Sequence, residues 1–264
     1  MAYQIIAPPP SLANYVSYFW TLEHQTDDLS PRTYTVMCSG APGLVFQQDP
    51  SVFAGFEGER LPQLFAFGQA TKYGQLRSCG SFHSVGVSFR PAALKPVFGL
   101  DASHLTDQNA CISLLAKTSL TDELSNCCTA QQQVSRLSAF LLAQVRQHGE
   151  ENKKVAYAAA ALQRGTRLPD VLQAIQLSER QLERLFLNHI GIRPVLYARI
   201  CRFQTALGLL REGKFRSLTD AAHSLGYFDQ SHFIRDFKLF AGASPRVYLR
   251  KTVEQMPGFP EWEE

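Results

Sequence analysis

From Leu168 onward the apolar residues recur at helical spacing, interrupted at regular places by capping and stop residues. Ser217 stands three positions before Asp220, as a helix N-cap does, and Leu218, Ala221, Ala222 and Leu225 then fall on one face. Gly226 supplies a residue free to take a positive φ, and Asp229 caps a second helix with Phe233, Phe237 and Phe240 on its buried side. About fifty residues earlier the same device occurs once before. There Ser178 and Gln181 have capping-box spacing ahead of Leu182, Leu185 and Phe186. The stretches RLFLNHIGIRPVLY and RDFKLFAGASPRVY align in one frame, pairing Arg184 with Arg235, Phe186 with Phe237, Gly191 with Gly242, Pro194 with Pro245 and Tyr197 with Tyr248. Each unit therefore reads as helix, short turn, helix. Between them a helix restarted at Pro194 carries Leu196, Ile200, Phe203, Leu207 and Leu210 as one stripe. At about 1.5 Å per residue, that helix would hold the two units about 24 Å apart.

The first hundred or so residues follow a different period. TYTVMC, GLVFQQ, LFAFGQA and SFHSVGVSFRP read as strands between Gly and Pro turns. In the last of these, His83, Val85, Val87 and Phe89 alternate with Phe82, Ser84, Gly86 and Ser88, which predicts a half-buried strand. Helical spacing returns in AQQQVSRLSAFLLAQVRQHG, where Val134, Leu137, Phe140, Leu141 and Val145 form a stripe suited either to a dimer surface or to the core of its own domain. The expected organisation is a β-rich domain with a helical end over residues 1–150, an all-helical domain over 151–251 and an acidic tail over 252–264.

Charge sharpens this division. The net charge of +3 conceals an uneven distribution: residues 151–251 hold 17 Lys and Arg against 8 Asp and Glu, whereas residues 1–150 hold 9 against 11. A basic excess confined to the helical domain points to a polyanionic partner for that domain alone. The six cysteines are scattered without C-x-x-C pairs or His partners at metal spacing, so neither a metal nor a cofactor is expected. No apolar run is long enough to span a bilayer and the first residues lack the features of an export signal, which together predict a cytoplasmic location and no membrane partner.

The candidate chemistry lies on the faces that the apolar stripes leave exposed. Near the start of the second helix of the first unit these are Arg180, Glu183 and Arg184; in the second unit they are Gln230, Ser231, His232, Arg235 and Lys238. Arg and Gln at the leading end of a helix suit the donor and acceptor pattern of the DNA major groove, and Arg and Lys also suit phosphates. A solenoid fragment fits poorly, because stacked repeats come in threes or more without a long helix inserted between them.

Residues from about Val155 to Lys251 resemble the DNA-binding domain of the AraC/XylS family of transcription regulators, most closely over SLTDAAHSLGYFDQSHFIRDFKLFAGASPRVY. The resemblance implies two helix-turn-helix units joined by a long helix, with double-stranded DNA as partner. It further implies RNA polymerase, a small-molecule effector and a second copy of the chain as partners, and a cupin-like barrel for the N-terminal domain. It places Arg180, Glu183, Arg184, Gln230, Ser231 and Arg235 at the family's DNA-contacting positions. Two departures fall in the first unit: Gln176 stands where the turn usually has Gly, and Leu172 where a small Ala is usual. PPPSLANYVSYFWTLE and FHSVGVSFRPAALKPVFG resemble the N-terminal domain of an uncharacterised subgroup of the same family. Within that domain Trp20, Phe46, Phe67 and His83 are the expected lining of an effector pocket. The expected function is a non-enzymatic, sequence-specific regulator of transcription. The alternatives are a fusion to a DNA-repair methyltransferase, which would need a methyl-accepting cysteine, and an interaction module that no longer binds DNA.

Overall fold

The computed structural model describes residues 1–55, 58–149, 152–253 and 261–262. In the N-terminal domain the strands are β1 (Ala2–Ile6), β2 (Val16–His24), β3 (Arg32–Val36), β4 (Gly43–Gln47), β5 (Phe53–Gly55), β6 (Leu64–Phe67), β7 (Gly74–Ser78), β8 (Phe82–Phe89) and β9 (Asn109–Cys111). Interspersed or following are the helices α1 (Leu94–Phe98), α2 (Ile112–Leu115), α3 (Leu120–Ser125) and α4 (Ala130–His148). The C-terminal domain is helical: α5 (Lys153–Gln163), α6 (Leu168–Ile175), α7 (Glu179–His189), α8 (Pro194–Arg211), α9 (Leu218–Ser224), α10 (Gln230–Ala241) and α11 (Pro245–Lys251). Two residue pairs, β10 (Thr252–Val253) and β11 (Glu261–Trp262), follow it. The acidic tail expected over 252–264 lies mostly outside the described residues.

The strands build two antiparallel sheets, ordered β1-β2-β8-β4-β6-β9 and β10-β11-β3-β7-β5. Alternation sends Phe19, Leu44, Phe46, Val85, Val87 and Phe89 to one side of the first sheet, where they pack against Leu94, Val97, Leu137 and Leu141 of α1 and α4. That settles the stripe on α4: Val134, Leu137 and Leu141 are core residues of their own domain. The other side of the first sheet faces the second sheet. Strand β8 is therefore covered on both sides, not half-buried as its alternation suggests, since Ser84 faces β3, β5 and β7 and Gly86 lies under the Trp20 ring, while Val85 and Val87 lie under helices.

In the C-terminal domain the repeated phenylalanines do the packing the pattern predicts. Leu182, Phe186, Phe203, Phe233, Phe237 and Phe240 are fully buried, and Phe203 of α8 meets Phe237 and Phe240 of α10 with ring centroids 5.3 and 5.5 Å apart. Both units thus close on one linking helix. This core also takes in Met37, Cys38 and Ala92 of the N-terminal domain.

Contacts between the domains converge on the C-terminal ends of α7 and α10. The backbone N–H groups of Cys38 and Tyr73 donate to the carbonyls of Phe240 and Leu239, each at 3.1 Å, and the Gln204 amide donates to the Cys38 carbonyl. At the other unit the Thr106 hydroxyl donates to the Gly191 carbonyl at 2.7 Å. Gly191 has φ +98, and a Cβ there would lie 2.9 Å from the Ala102 carbonyl oxygen, so glycine is required for this approach. The loops touching the two units are themselves joined. Asp107 accepts from the backbone N–H of Thr71 at 2.7 Å and from its hydroxyl at 2.6 Å, and the Gln69 amide donates to the Gly40 carbonyl at 3.1 Å. One hydrogen-bonded edge of the β-domain therefore grips both helical units.

Candidate nucleic-acid interface

Each unit positions its second helix by a cap at the start and a buried aromatic below. In the first, Ser178 accepts from the Gln181 backbone N–H while the Gln181 side chain accepts from that of Ser178, the reciprocal pairing that the spacing predicts. With Leu182 and Phe186 at zero exposure, Arg180 and Arg184 point outward and Glu183 is half-buried. In the second unit Ser217 accepts from Asp220 N–H and Asp229 from His232 N–H at 2.6 Å. Phe233 and Phe237 face inward and leave Ser231, Arg235 and Lys238 exposed. Arg180, Arg184, Arg235 and Lys238 form no ion pair with any carboxylate among the described residues, whereas Arg167 is held by Asp170 and Lys214 by Glu212.

Two of the expected contact residues are engaged within the protein. Gln230 is half-buried and accepts from the Thr219 hydroxyl at 3.1 Å, which ties α10 to α9. The His232 ring stands edge-on to Tyr227, with centroids 5.2 Å apart, and its Nε2 lies 3.8 Å from Asp236 Oδ2. Asp236 itself is buried and receives two hydrogen bonds from Arg199 of α8, at 2.7 and 3.3 Å. These hydrogen bonds favour the charged guanidinium and raise the Arg199 pKa above its ordinary value. This forked pair fixes the rotation of α10 on the linking helix. Its two residues give no sign in the periodicity, because an Asp among phenylalanines at helical spacing cannot be matched by pattern alone to an Arg 37 positions earlier. Phe228, at the turn before α10, also falls outside the periodicity; it is 88% exposed.

The turn of the first unit keeps its shape despite Gln176. That residue takes φ 52 and ψ 53, the left-handed conformation a glycine would supply, and its N–H reaches the Gln173 carbonyl. A side chain there costs about 1 kcal/mol, and a glycine in its place loses part of that gain to unfolded-chain entropy. Gln176→Gly is expected to stabilise the domain by about 0.5 kcal/mol, a rise of one or two degrees in melting temperature. A fall on calorimetry would show that the Gln176 side chain contributes contacts of its own.

Of the four residues expected to line a pocket in the β-domain, the cavity between the sheets receives Trp20. Phe46 points the opposite way, into the core under the helices, because on β4 it is Val45 and Gln47 that alternate toward the cavity. The Phe67 ring lies over Gly43, where a Cβ would come within 2.5 Å of it. His83 faces α4: its Nδ1 is 3.0 Å from Glu23 Oε1 and its Nε2 2.9 Å from Gln133 Oε1, a histidine with both nitrogens engaged. Cys38 and Cys201 are buried at the domain junction, and burial pushes their thiols up to about 12 and about 11, so neither ionises readily. Among the described residues, no helix is long and apolar enough to cross a membrane.

Paired, capped helix-turn-helix units on a shared helix define a DNA-binding class of domain, and the comparisons place it. Residues 171–251 match the family model described as a helix-turn-helix domain, and residues 4–110 match a domain of unknown function, DUF6597. The C-terminal part of the chain is thus similar to known helix-turn-helix domains, in keeping with the two units seen in the fold. Over 106 residues the chain is 34% identical to the uncharacterized HTH-type transcriptional regulator YidL of Escherichia coli K12, covering 40% of this chain and 35% of that one. Over 122 residues it is 28% identical to the HTH-type transcriptional regulator CdhR of Pseudomonas aeruginosa, covering 43% and 36%. The matches thus span about a third of the length of these relatives. A structure of ToxT from Vibrio cholerae aligns with 88% of this chain and 97% of its own at 10% identity, with a TM-score of 0.46.

Proposed function

We propose that the protein is a sequence-specific, non-enzymatic regulator of transcription in the cytoplasm, in which α7 and α10 enter successive major-groove segments on one face of double-stranded DNA. The observation that carries this reading is the pairing of Arg180 and Arg184 on α7 with Arg235 and Lys238 on α10. All four are exposed and lack an acidic partner among the described residues, on two helices held on one 18-residue helix, with Arg180 in the first turn of α7 and Lys238 in the last turn of α10. At about 1.5 Å per residue that helix is about 27 Å long, close to one turn of B-DNA, about 34 Å, once side-chain reach is added. Arg180, Glu183, Arg184, Ser231 and Arg235 take the direct contacts, Lys238 a phosphate, and Gln230 and His232 a supporting role from their internal hydrogen bonds and packing. The N-terminal domain acts as the sensing unit, and its double grip on the helical units makes it the element that sets their relative placement. Pairing of two copies and contact with RNA polymerase belong to the same reading. The buried, reluctant thiols at the domain junction weigh against a methyl-accepting cysteine there.

The test is selection of binding sites from a random DNA pool by the full-length protein, because Met37, Cys38 and Ala92 help to close the helical core. Sites should carry two short motifs centred about 10 base pairs apart. Enrichment of a single motif would leave one unit without a role in readout, and no enrichment would overturn the reading.

A further inference from the structure

The two sheets of the N-terminal domain do not close completely on each other. Between them lies a cavity of about 80 Å³ walled by Trp20, Leu22, Val45 and Phe82 from the first sheet and by Tyr34 and Leu76 from the second. Gly86 makes room for the Trp20 indole, since a Cβ there would come within 2.1 Å of the ring. Apart from the α-amino group of Met1, the residues around this space carry no formal charge, and almost all of its surface is hydrocarbon.

Polar groups of Gln47 and Ser84 break that surface. Gln47 and Ser84 sit opposite each other in the β4–β8 ladder and both line the cavity. They are 2% and 3% exposed, yet Gln47 Oε1 and Ser84 Oγ have no hydrogen-bond partner among the described residues. The Gln47 amide nitrogen is already committed to the Pro62 carbonyl at 2.8 Å, so the oxygen cannot exchange places with it by a flip without breaking that bond. Buried polar atoms are nearly always paired in folded proteins, and an adjacent unpaired couple inside an apolar cavity is the usual form of a site with a few orienting groups in a hydrophobic wall.

We propose that this cavity binds a small uncharged molecule with an apolar body and one hydroxyl or N–H donor, the donor directed to Gln47 Oε1 and the hydroxyl of Ser84. A carboxylate directed at the same two groups is disfavoured, because Gln47 Oε1 offers it an acceptor in place of a donor, no basic side chain lies in the wall, and an unpaired charge is costly to bury. Size sets the other limit. A cavity of about 150 Å³ holds benzene, so this one takes a short-chain alcohol as it stands and a single phenolic ring when the partly exposed Met1 at its edge gives way. The proposal deepens the sensory reading of the N-terminal domain by naming the ligand class. The route to the helical domain is short. Strand β3, which carries Tyr34, runs directly into Met37 and Cys38, and Tyr73, which bonds to the end of α10, immediately precedes β7 with its Leu76.

Phenol, toluene and benzoate are the probes, titrated into the full-length protein at neutral pH by calorimetry and ligand-observed NMR. Phenol should bind at least fivefold more tightly than toluene, and benzoate at least tenfold more weakly than phenol. Ser84→Ala and Gln47→Leu should each weaken phenol at least fivefold and leave toluene within about twofold. Leu76→Trp, which fills the space from the second sheet, should abolish both, with melting curves confirming that each variant is folded. Equal affinity for phenol and toluene, phenol binding indifferent to Ser84→Ala and Gln47→Leu, or no binding by the folded wild-type protein would overturn the proposal. The same preparations are titrated with selected DNA. DNA binding without phenol binding removes the ligand site alone, and phenol binding without DNA binding removes the regulator reading alone.

Discussion

Arg199→Ala is expected to destabilise the protein by about 3 kcal/mol, at the low end of the range for breaking a buried ion pair, and to abolish measurable DNA binding by the second unit. The loss is asymmetric across the pair. The Asp236 side chain is 2% exposed and the Arg199 side chain 37% exposed. Removing the arginine strands a carboxylate that is almost wholly buried, with only His232 at 3.8 Å to offset it among the described residues. Removing the carboxylate instead leaves a guanidinium that can turn toward solvent, so Asp236→Ala should cost about 1–2 kcal/mol. Chemical denaturation of the two variants decides between this account and a simple packing role. Equal costs would mean that the pair contributes shape and not charge.

The second large effect is on affinity. Arg184→Ala and Arg235→Ala should each weaken binding to a selected site by about 1–3 kcal/mol, because each removes a donor that is solvated in the free protein and paired on DNA. The two sites lie on different units and share no partner in the structure, so the double variant should lose close to the sum. Helix content and melting temperature should not move, since neither side chain supports the fold. Gel-shift titrations at several salt concentrations separate the two kinds of contact. A residue that holds a phosphate lowers the slope of affinity against salt by about one when removed, while a residue that reads a base changes site preference and leaves the slope. Unchanged affinity in both single variants would remove α7 and α10 from the DNA interface.

The coupling of these two effects follows from position. Arg199 and Asp236 set the rotation of α10, and Arg235 is the residue beside Asp236 that this rotation turns outward. At the opposite ends of α7 and α10 the β-domain makes its backbone contacts through Thr106, Cys38 and Tyr73. A change in the separation of the two sheets would reach both helix ends through loops already tied together by Asp107 and Gln69. The C-terminal ends of α7 and α10 are therefore held by the β-domain, and α10 is fixed in addition on the linking helix.

The helical domain was legible because its information is local. Caps at Ser178, Ser217 and Asp229, the stop at Gly226 and the phenylalanine spacing each act within one or two turns, so the chain near them already specifies where helices start, end and face. The unusual turn at Gln176 shows in the sequence for the same reason: a Gln stands where the second unit has Gly226, and both take a positive φ. In the β-domain the sequence determined that strands exist but not which side of each one is covered. Strands β1, β2, β5, β7 and β9 escaped notice; β2 is wholly or partly buried along most of its length, leaving no clean alternation to read, and β5 and β9 are three residues each. The displacement of Phe46, Phe67 and His83 from the expected pocket has the same origin, because a strand's period fixes which residues share a face and only the packing of helices and sheets decides what that face meets. The Arg199–Asp236 pair, the joined loops at Asp107 and the cavity beside Gln47 and Ser84 all depend on residues far apart in the chain. Such contacts are selected by the geometry of the closed fold, so only the tertiary structure decided them, whereas the capped helices α7 and α10 and the basic residues on their exposed faces were determined by the sequence itself.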